Sequence, residues 1–187
     1  MSDYPNIVLI GGAGAGKSTA AKLLTEHVGY TRLGFAGVAE KPHKGSPRDW
    51  VARAWGPEYI NDREKLIAVA NAARACDEDV WLNSLLRVFG GESGDLSPVV
   101  VDDCRFANEY FGLLGRGFVS VRLLAPDETR ELRLRANGKW IDGYLDHEIE
   151  HYLDGIVPGY TIHNDGITQH ELLDELVKII AKERRNR

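Results

Sequence analysis

The chain has 187 residues, of which 43% are hydrophobic and 27% charged, and it carries a net charge of −5. That length suits one α/β domain with a small inserted lobe, and no run approaches the roughly 18 unbroken apolar residues of a membrane span. The acidic balance argues against broad electrostatic affinity for nucleic acid, and the polar start Met1-Ser2-Asp3-Tyr4-Pro5 lacks a signal-peptide core, so a cytoplasmic protein is expected.

The first predicted element is a buried strand, Ile7-Val8-Leu9-Ile10, which runs into Gly11-Gly12-Ala13-Gly14-Ala15-Gly16-Lys17-Ser18-Thr19. This is G-x-x-x-x-G-K-[ST], a Walker A loop. Glycines without Cβ atoms let successive backbone N–H groups converge on a phosphate, and the helix that follows points its positive dipole end at the same anion. Gly11, Ala13, Gly14, Ala15, Gly16, Lys17, Ser18 and Thr19 form the candidate nucleotide site. Lys17 is expected to reach the β- and γ-phosphates, and the Ser18 hydroxyl to take a position on Mg²⁺. The alternative is a glycine-rich turn that binds nothing. Ala20, Leu23, Leu24, His27 and Val28 recur at helical spacing after the loop, which supplies the strand-loop-helix context that a phosphate site needs.

Tyr30 to Ala36 reads as a second strand, and Val38 to Lys41 as a helix start that Pro42 interrupts. The loop Pro42 to Pro47 falls where small-molecule kinases insert the lobe that covers the acceptor. Leu66, Ile67, Ala70 and Ala73 mark one helix, and Trp81, Leu82, Leu85, Leu86 and Phe89 another. Trp50, Trp55 and Trp81 are expected in the core, with stacking on a substrate base as the alternative. Cys76 and Cys104 have no metal-ligand spacing, in keeping with a reducing compartment.

After the turn-rich Gly90 to Asp95, Pro98 to Val101 is a buried strand ending in Asp102-Asp103-Cys104-Arg105. Carboxylates at the carboxyl end of a parallel strand lie where open α/β sheets bind ligands. One of the pair is the candidate for the Mg²⁺-water shell. The other reading makes them N-caps of a helix running through Phe106 to Leu114. Gly117 to Leu124 is the next strand, and a helix from Asp127 carries Arg130 and Arg133 on one face, with Arg135 pointing elsewhere. Those two arginines suit phosphates of two substrates, or else a salt-bridged surface helix. A polar stretch from Asn137 to Asp154 reads as a lid. Tyr160 to His163 is the last strand, Asn164-Asp165-Gly166 a turn, and a final helix starts at Gln169. The alternation predicts a mostly parallel sheet of about five strands with right-handed crossovers, and its likeness to small kinases implies the order 2-3-1-4-5.

A guanine-reading N-K-x-D and a D-x-x-G after the second strand are missing from the places a GTPase switch needs them. A hydrolytic glutamate is also missing after Asp102-Asp103, where Cys104 stands instead. Transfer to a small acceptor is what remains. A hydroxyl acceptor benefits from a general base, whereas a nucleotide phosphate needs mainly positioning and charge neutralisation.

Asp103-Cys104-Arg105-Phe106-Ala107-Asn108-Glu109 resembles the D-x-R-F-x-N-E segment of bacteriophage deoxynucleoside monophosphate kinases. Phe35-Ala36 with Lys41, Trp55-Gly56 with Arg63 and Trp81, His147-x-x-Glu150-x-x-Leu153-Asp154, and Ile162-His163-Asn164-Asp165-Gly166 resemble further segments of that family in the same order. Gly37 stands where those relatives usually carry Asp, and Ile149 where they carry a lid serine.

The resemblance implies a single P-loop kinase domain over 1–187, a three-layer sandwich with a helical acceptor-binding lobe at about 37–95 and a lid at about 130–156. It implies that Lys17 and Ser18 handle ATP and Mg²⁺, and that Asp103 and Arg105 sit at the acceptor phosphate, Asp103 serving either metal or acceptor. Arg63 is then a second phosphate ligand, Arg130 and Arg133 the lid clamp, and Asn164 and Gly166 lie near the adenine. Lys41, Trp81, Glu109 and Glu150 are the remaining substrate-side candidates. The implied reaction is ATP + dNMP → ADP + dNDP in a host cytoplasm, without nucleic acid or membrane, by a protein that can form a homodimer. The alternatives are a dephospho-coenzyme A or nucleoside kinase, and an ATP-binding accessory module that transfers nothing.

Overall fold

The computed structural model describes residues 3–37, 42–92, 98–143 and 145–186. The expected helix start at Val38 to Lys41, and with it the Lys41 site, lies outside them. The elements follow in the order β1 (Ile7–Ile10), α1 (Lys17–Val28), β2 (Thr31–Leu33), α2 (Pro47–Trp55), α3 (Arg63–Cys76), α4 (Val80–Arg87), β3 (Val99–Val101), α5 (Ala107–Leu114), β4 (Val119–Leu124), α6 (Asp127–Ala136), β5 (Tyr160–His163) and α7 (Gln169–Arg185).

The five strands form one sheet of order β2-β3-β1-β4-β5, and every pairing is parallel. β1 is therefore central and covered on both faces, which is why its four residues are apolar without alternation and fully buried. Ile7 and Leu9 face a cluster built with α1 and α7 through Ala20, Leu24, Leu172 and Leu176. Val8 and Ile10 face the opposite cluster, with Trp81 and Leu85 of α4 and Tyr110 and Leu113 of α5. Side chains of this kind contribute about 1.5–3 kcal/mol each when fully buried, and the two clusters make the molecule a three-layer sandwich.

Three helices, α2 to α4, stand between β2 and β3. α2 was not expected from apolar periodicity. It forms because Ser46 caps it, with its Oγ accepting from the Asp49 N–H at 3.2 Å, and because Pro47 fits the first helical turn. The second strand is shorter than its sequence suggests. It stops at Leu33 because the next amides, those of Phe35 and Ala36, donate to the Asp103 carboxylate and not to a neighbouring strand. Trp50 and Trp55, expected in the core, are 45% and 48% exposed. Trp81 is the core tryptophan, its Nε1 donating to the Ala70 carbonyl at 3.2 Å and its ring meeting Trp50 edge to face. Among the described residues no helix is long and apolar enough to cross a membrane.

Candidate nucleotide and acceptor site

β1 delivers the chain to the loop at the carboxyl edge of the sheet, and α1 begins at Lys17 with Gly16 left-handed at its N-cap (φ 104°). Gly16 has a second reason to lack a side chain, since a Cβ there would lie 2.2 Å from Nδ2 of Asn164. That amide donates to the Ala15 carbonyl at 2.7 Å, so Asn164 at the end of β5 holds the loop in shape. α6 straps it from above. Arg130 Nε donates to the Ala13 carbonyl at 2.8 Å, while Arg133 reaches the Gly14 carbonyl at 3.3 Å and that of Asn164 at 2.9 Å. Arg135 turns away as expected, to Glu131 and the Trp140 ring.

The loop has the electrostatics of an anion site. Lys17 is buried, and its Nζ donates to the carbonyls of Gly11 and Gly12. Burial, reinforced by the nearby Arg105 guanidinium, lowers its pKa from 10.5 to about 8. Nη2 of Arg130 is buried without a hydrogen-bond partner among the described residues. A buried lysine and a donor short of an acceptor both fit a polyphosphate, and Ser18 and Thr19 line the same cleft in the first turn of α1. Among the described residues no cluster of three or more His, Cys, Asp or Glu side chains forms a metal cage. Mg²⁺ fits here through the Ser18 hydroxyl together with phosphate oxygens. Gly166, expected at the adenine, is a turn glycine at φ 70° that does not line the cleft. Its neighbours Ile167 and Thr168 do.

On the acceptor side the two aspartates have separate partners. Asp102 takes a bidentate pair from Arg32, at 2.9 and 2.7 Å. Asp103 accepts the Phe35 and Ala36 amides at 2.8 and 3.0 Å, and burial, with Asp102 beside it, pushes its pKa up. Neither caps α5, whose N-cap is Phe106, so the capping reading is set aside.

Glu109, expected to touch substrate, is 1% exposed and spends its oxygens inside the protein. Oε2 accepts from the N–H groups of Arg105 and Phe106, and Oε1 from Nη2 of Arg74 at 2.7 Å. It positions the Arg105 segment. Arg74 is the cleft residue that the sequence reading missed. It lies on α3 with its guanidinium 3.8 Å over the Phe106 ring and lines the cleft with Asn71 and Ala70, at i−3 and i−4. Arg63 stands exposed on the cleft rim, and Trp81 only reaches the cleft floor from the core.

The stretch expected to form a lid adds Glu150 to this arrangement. Glu150, in a short turn of helix at Glu148–Glu150, pairs with Nη1 of Arg105 at 2.5 Å and accepts the Ala13 N–H at 2.5 Å. Arg105, Arg130, Arg133, Lys17 and Glu150 thus converge on one loop, although they come from four separate stretches of chain.

A parallel sheet of order 2-3-1-4-5, with a Walker A loop after its central strand and helices inserted after β2, defines the P-loop kinase fold. An AAA domain family model matches residues 7–151, and the chain belongs to that family. No curated protein matches it. Among solved structures it is similar to shikimate kinase from Acinetobacter baumannii in complex with shikimate, at 19% identity and TM-score 0.53, covering 96% of this chain and 94% of that one. It is also similar to TT1252 from Thermus thermophilus (20%, TM-score 0.56, 96% and 98% covered) and to a gluconokinase from Sinorhizobium meliloti 1021 (17%, TM-score 0.54, 100% and 97% covered). At such identities the likeness is one of fold.

Proposed function

We propose that the protein is an ATP-dependent kinase that moves the γ-phosphate of ATP to a deoxynucleoside monophosphate. The observation that carries the choice of acceptor is the state of the carboxylates lining the cleft. Asp102, Asp103 and Glu109 each already accept from a guanidinium or from backbone amides, so none is poised to take a proton from a sugar or shikimate hydroxyl. A phosphate oxygen needs no such base. It needs cations, and Arg63, Arg74 and Arg105 line the acceptor side of the cleft.

In this reading the loop amides and Lys17 hold the donor phosphates, and Arg105 stands between donor and acceptor. Arg130 and Arg133 bring α6 and the lid down over both. Mg²⁺, when bound, offsets charge on the donor phosphates. Closure keeps water from taking the phosphoryl group in place of the acceptor.

The test is coupled ADP release with each of the four dNMPs, set beside shikimate and gluconate, the acceptor classes suggested by the structural neighbours. Turnover with at least one dNMP and with neither hydroxy acid is the expected result. Turnover of a hydroxy acid with no dNMP accepted would overturn the reading.

A further inference from the structure

The lid carries one carboxylate in an unexpected place. Asp146 and Glu148 are exposed to solvent, but the Glu150 side chain is only 2% exposed. It is fixed between the Walker A loop and the acceptor side, with one oxygen on the Ala13 N–H and the other on Nη1 of Arg105, both at 2.5 Å. Lys17 is close enough to interact with it electrostatically, and the Lys17 amine is turned back onto the Gly11 and Gly12 carbonyls. Burial works against the charge on Glu150. Arg105, the Ala13 N–H and Lys17 outweigh it and hold the carboxyl below its usual range. A loop amide, a guanidinium and the Walker lysine are the donors expected to surround a phosphoryl group passing between two phosphates.

We infer that Glu150 is a built-in stand-in for the transferred phosphoryl group: its carboxylate holds donors of the anion cradle, and ATP has to expel it to take them. The inference rests on the reading of this loop as the ATP site. The displacement follows from charge. A triphosphate brought against Ala13 and Lys17 cannot share those donors with an ionised carboxylate, because each anion raises the cost of the other. Three residues on, Leu153 is 8% exposed in the core, so the chain beside the released carboxylate stays anchored.

A purely structural role predicts the opposite sign for the same mutation. If Glu150 only stapled the lid and aimed Arg105, its loss would weaken nucleotide binding. If it competes with phosphate, its loss removes a competitor, and apparent affinity rises by the reciprocal of the fraction of protein in the displaced state.

The experiment titrates wild type, Glu150→Gln and Glu150→Ala with Mg²⁺ and β,γ-imido-ATP by calorimetry, with ADP in parallel. Both variants are expected to bind the triphosphate about tenfold more tightly than wild type, with a smaller gain for ADP. Glu150→Gln keeps the shape of the side chain, so it should melt a few degrees lower than wild type when empty and show a larger ligand-induced rise. Equal or weaker triphosphate binding by a folded Glu150→Gln protein overturns the inference and leaves the kinase reading standing. If the wild type binds neither nucleotide, that reading fails and the inference goes with it.

Discussion

Lys17 is where folding and function pull in opposite directions. Its amine is buried among guanidinium groups, and its pKa falls from 10.5 to about 8. Between those two values the unfolded chain holds a proton that the folded chain has shed. The lysine's contribution therefore makes the empty protein more stable as pH rises from about 8 towards 10.5, and least stable below 8. A triphosphate reverses the situation by supplying the missing countercharge. Binding of Mg²⁺ and β,γ-imido-ATP at pH 8.5 should take up a substantial fraction of a proton, seen as a dependence of calorimetric enthalpy on buffer ionisation enthalpy. Lys17→Met should abolish that uptake and raise the melting temperature of the empty protein, by about 1–2 kcal/mol of stability. Proton release by the wild type would contradict the account. The placement of Lys17, Ser18, Arg130 and Arg133 was legible in the sequence because it is local, a loop pattern or a spacing of three on one helix. Glu109 and Arg74 were not, because their pairing spans 35 residues and depends on how α3 packs against α5.

At the scale of elements, the same contrast separates the strands and the long amphipathic helices from α2. β1, β3, β4 and α7 announce themselves by apolar runs or by a repeating apolar stripe that their burial requires. α2 has only Pro47 and Val51 buried, so its stripe is too thin to read, and what defines it is the Ser46 cap. β2 ends early for a reason equally invisible in its own sequence, the capture of the Phe35 and Ala36 amides by Asp103 from the next strand in the sheet. The cap is worth testing because Pro47 and Arg48 at the start of α2 line the acceptor cleft. Ser46→Ala should cost about 1 kcal/mol and speed hydrogen exchange in α2 while leaving α1 unchanged. If the proposed dNMP kinase activity holds, KM for the dNMP should rise with little change in KM for ATP. An unchanged α2 exchange rate would mean that Pro47 and packing hold the helix without the serine.

At the scale of the whole molecule, the lid is latched to the sheet itself. Arg122 stands on β4, in register with Ile10 at the end of β1, and its guanidinium donates to the carbonyls of Leu153 at 2.5 Å and Asp154 at 3.3 Å. Leu153 meanwhile packs in the cluster under α4 and α5. One strand position thus ties the residue just before the Walker loop to the far end of the lid, and Glu150 and Arg105 sit between those two points. A lid tied at that end can swing open for substrates and return to one closed position, as in-line transfer with water excluded requires. Arg122→Ala removes the tie without touching any group assigned to phosphate. Its expected effect is a drop in transfer kcat of about tenfold, near 1.4 kcal/mol in the barrier, with ATP hydrolysis in the absence of acceptor rising relative to transfer. Because the lost bonds are to backbone carbonyls of Leu153 and Asp154 and not to the Walker loop, nucleotide affinity should change little. A variant that loses transfer and hydrolysis in equal proportion would show that Arg122 supports the fold near the loop and has no part in closing the lid.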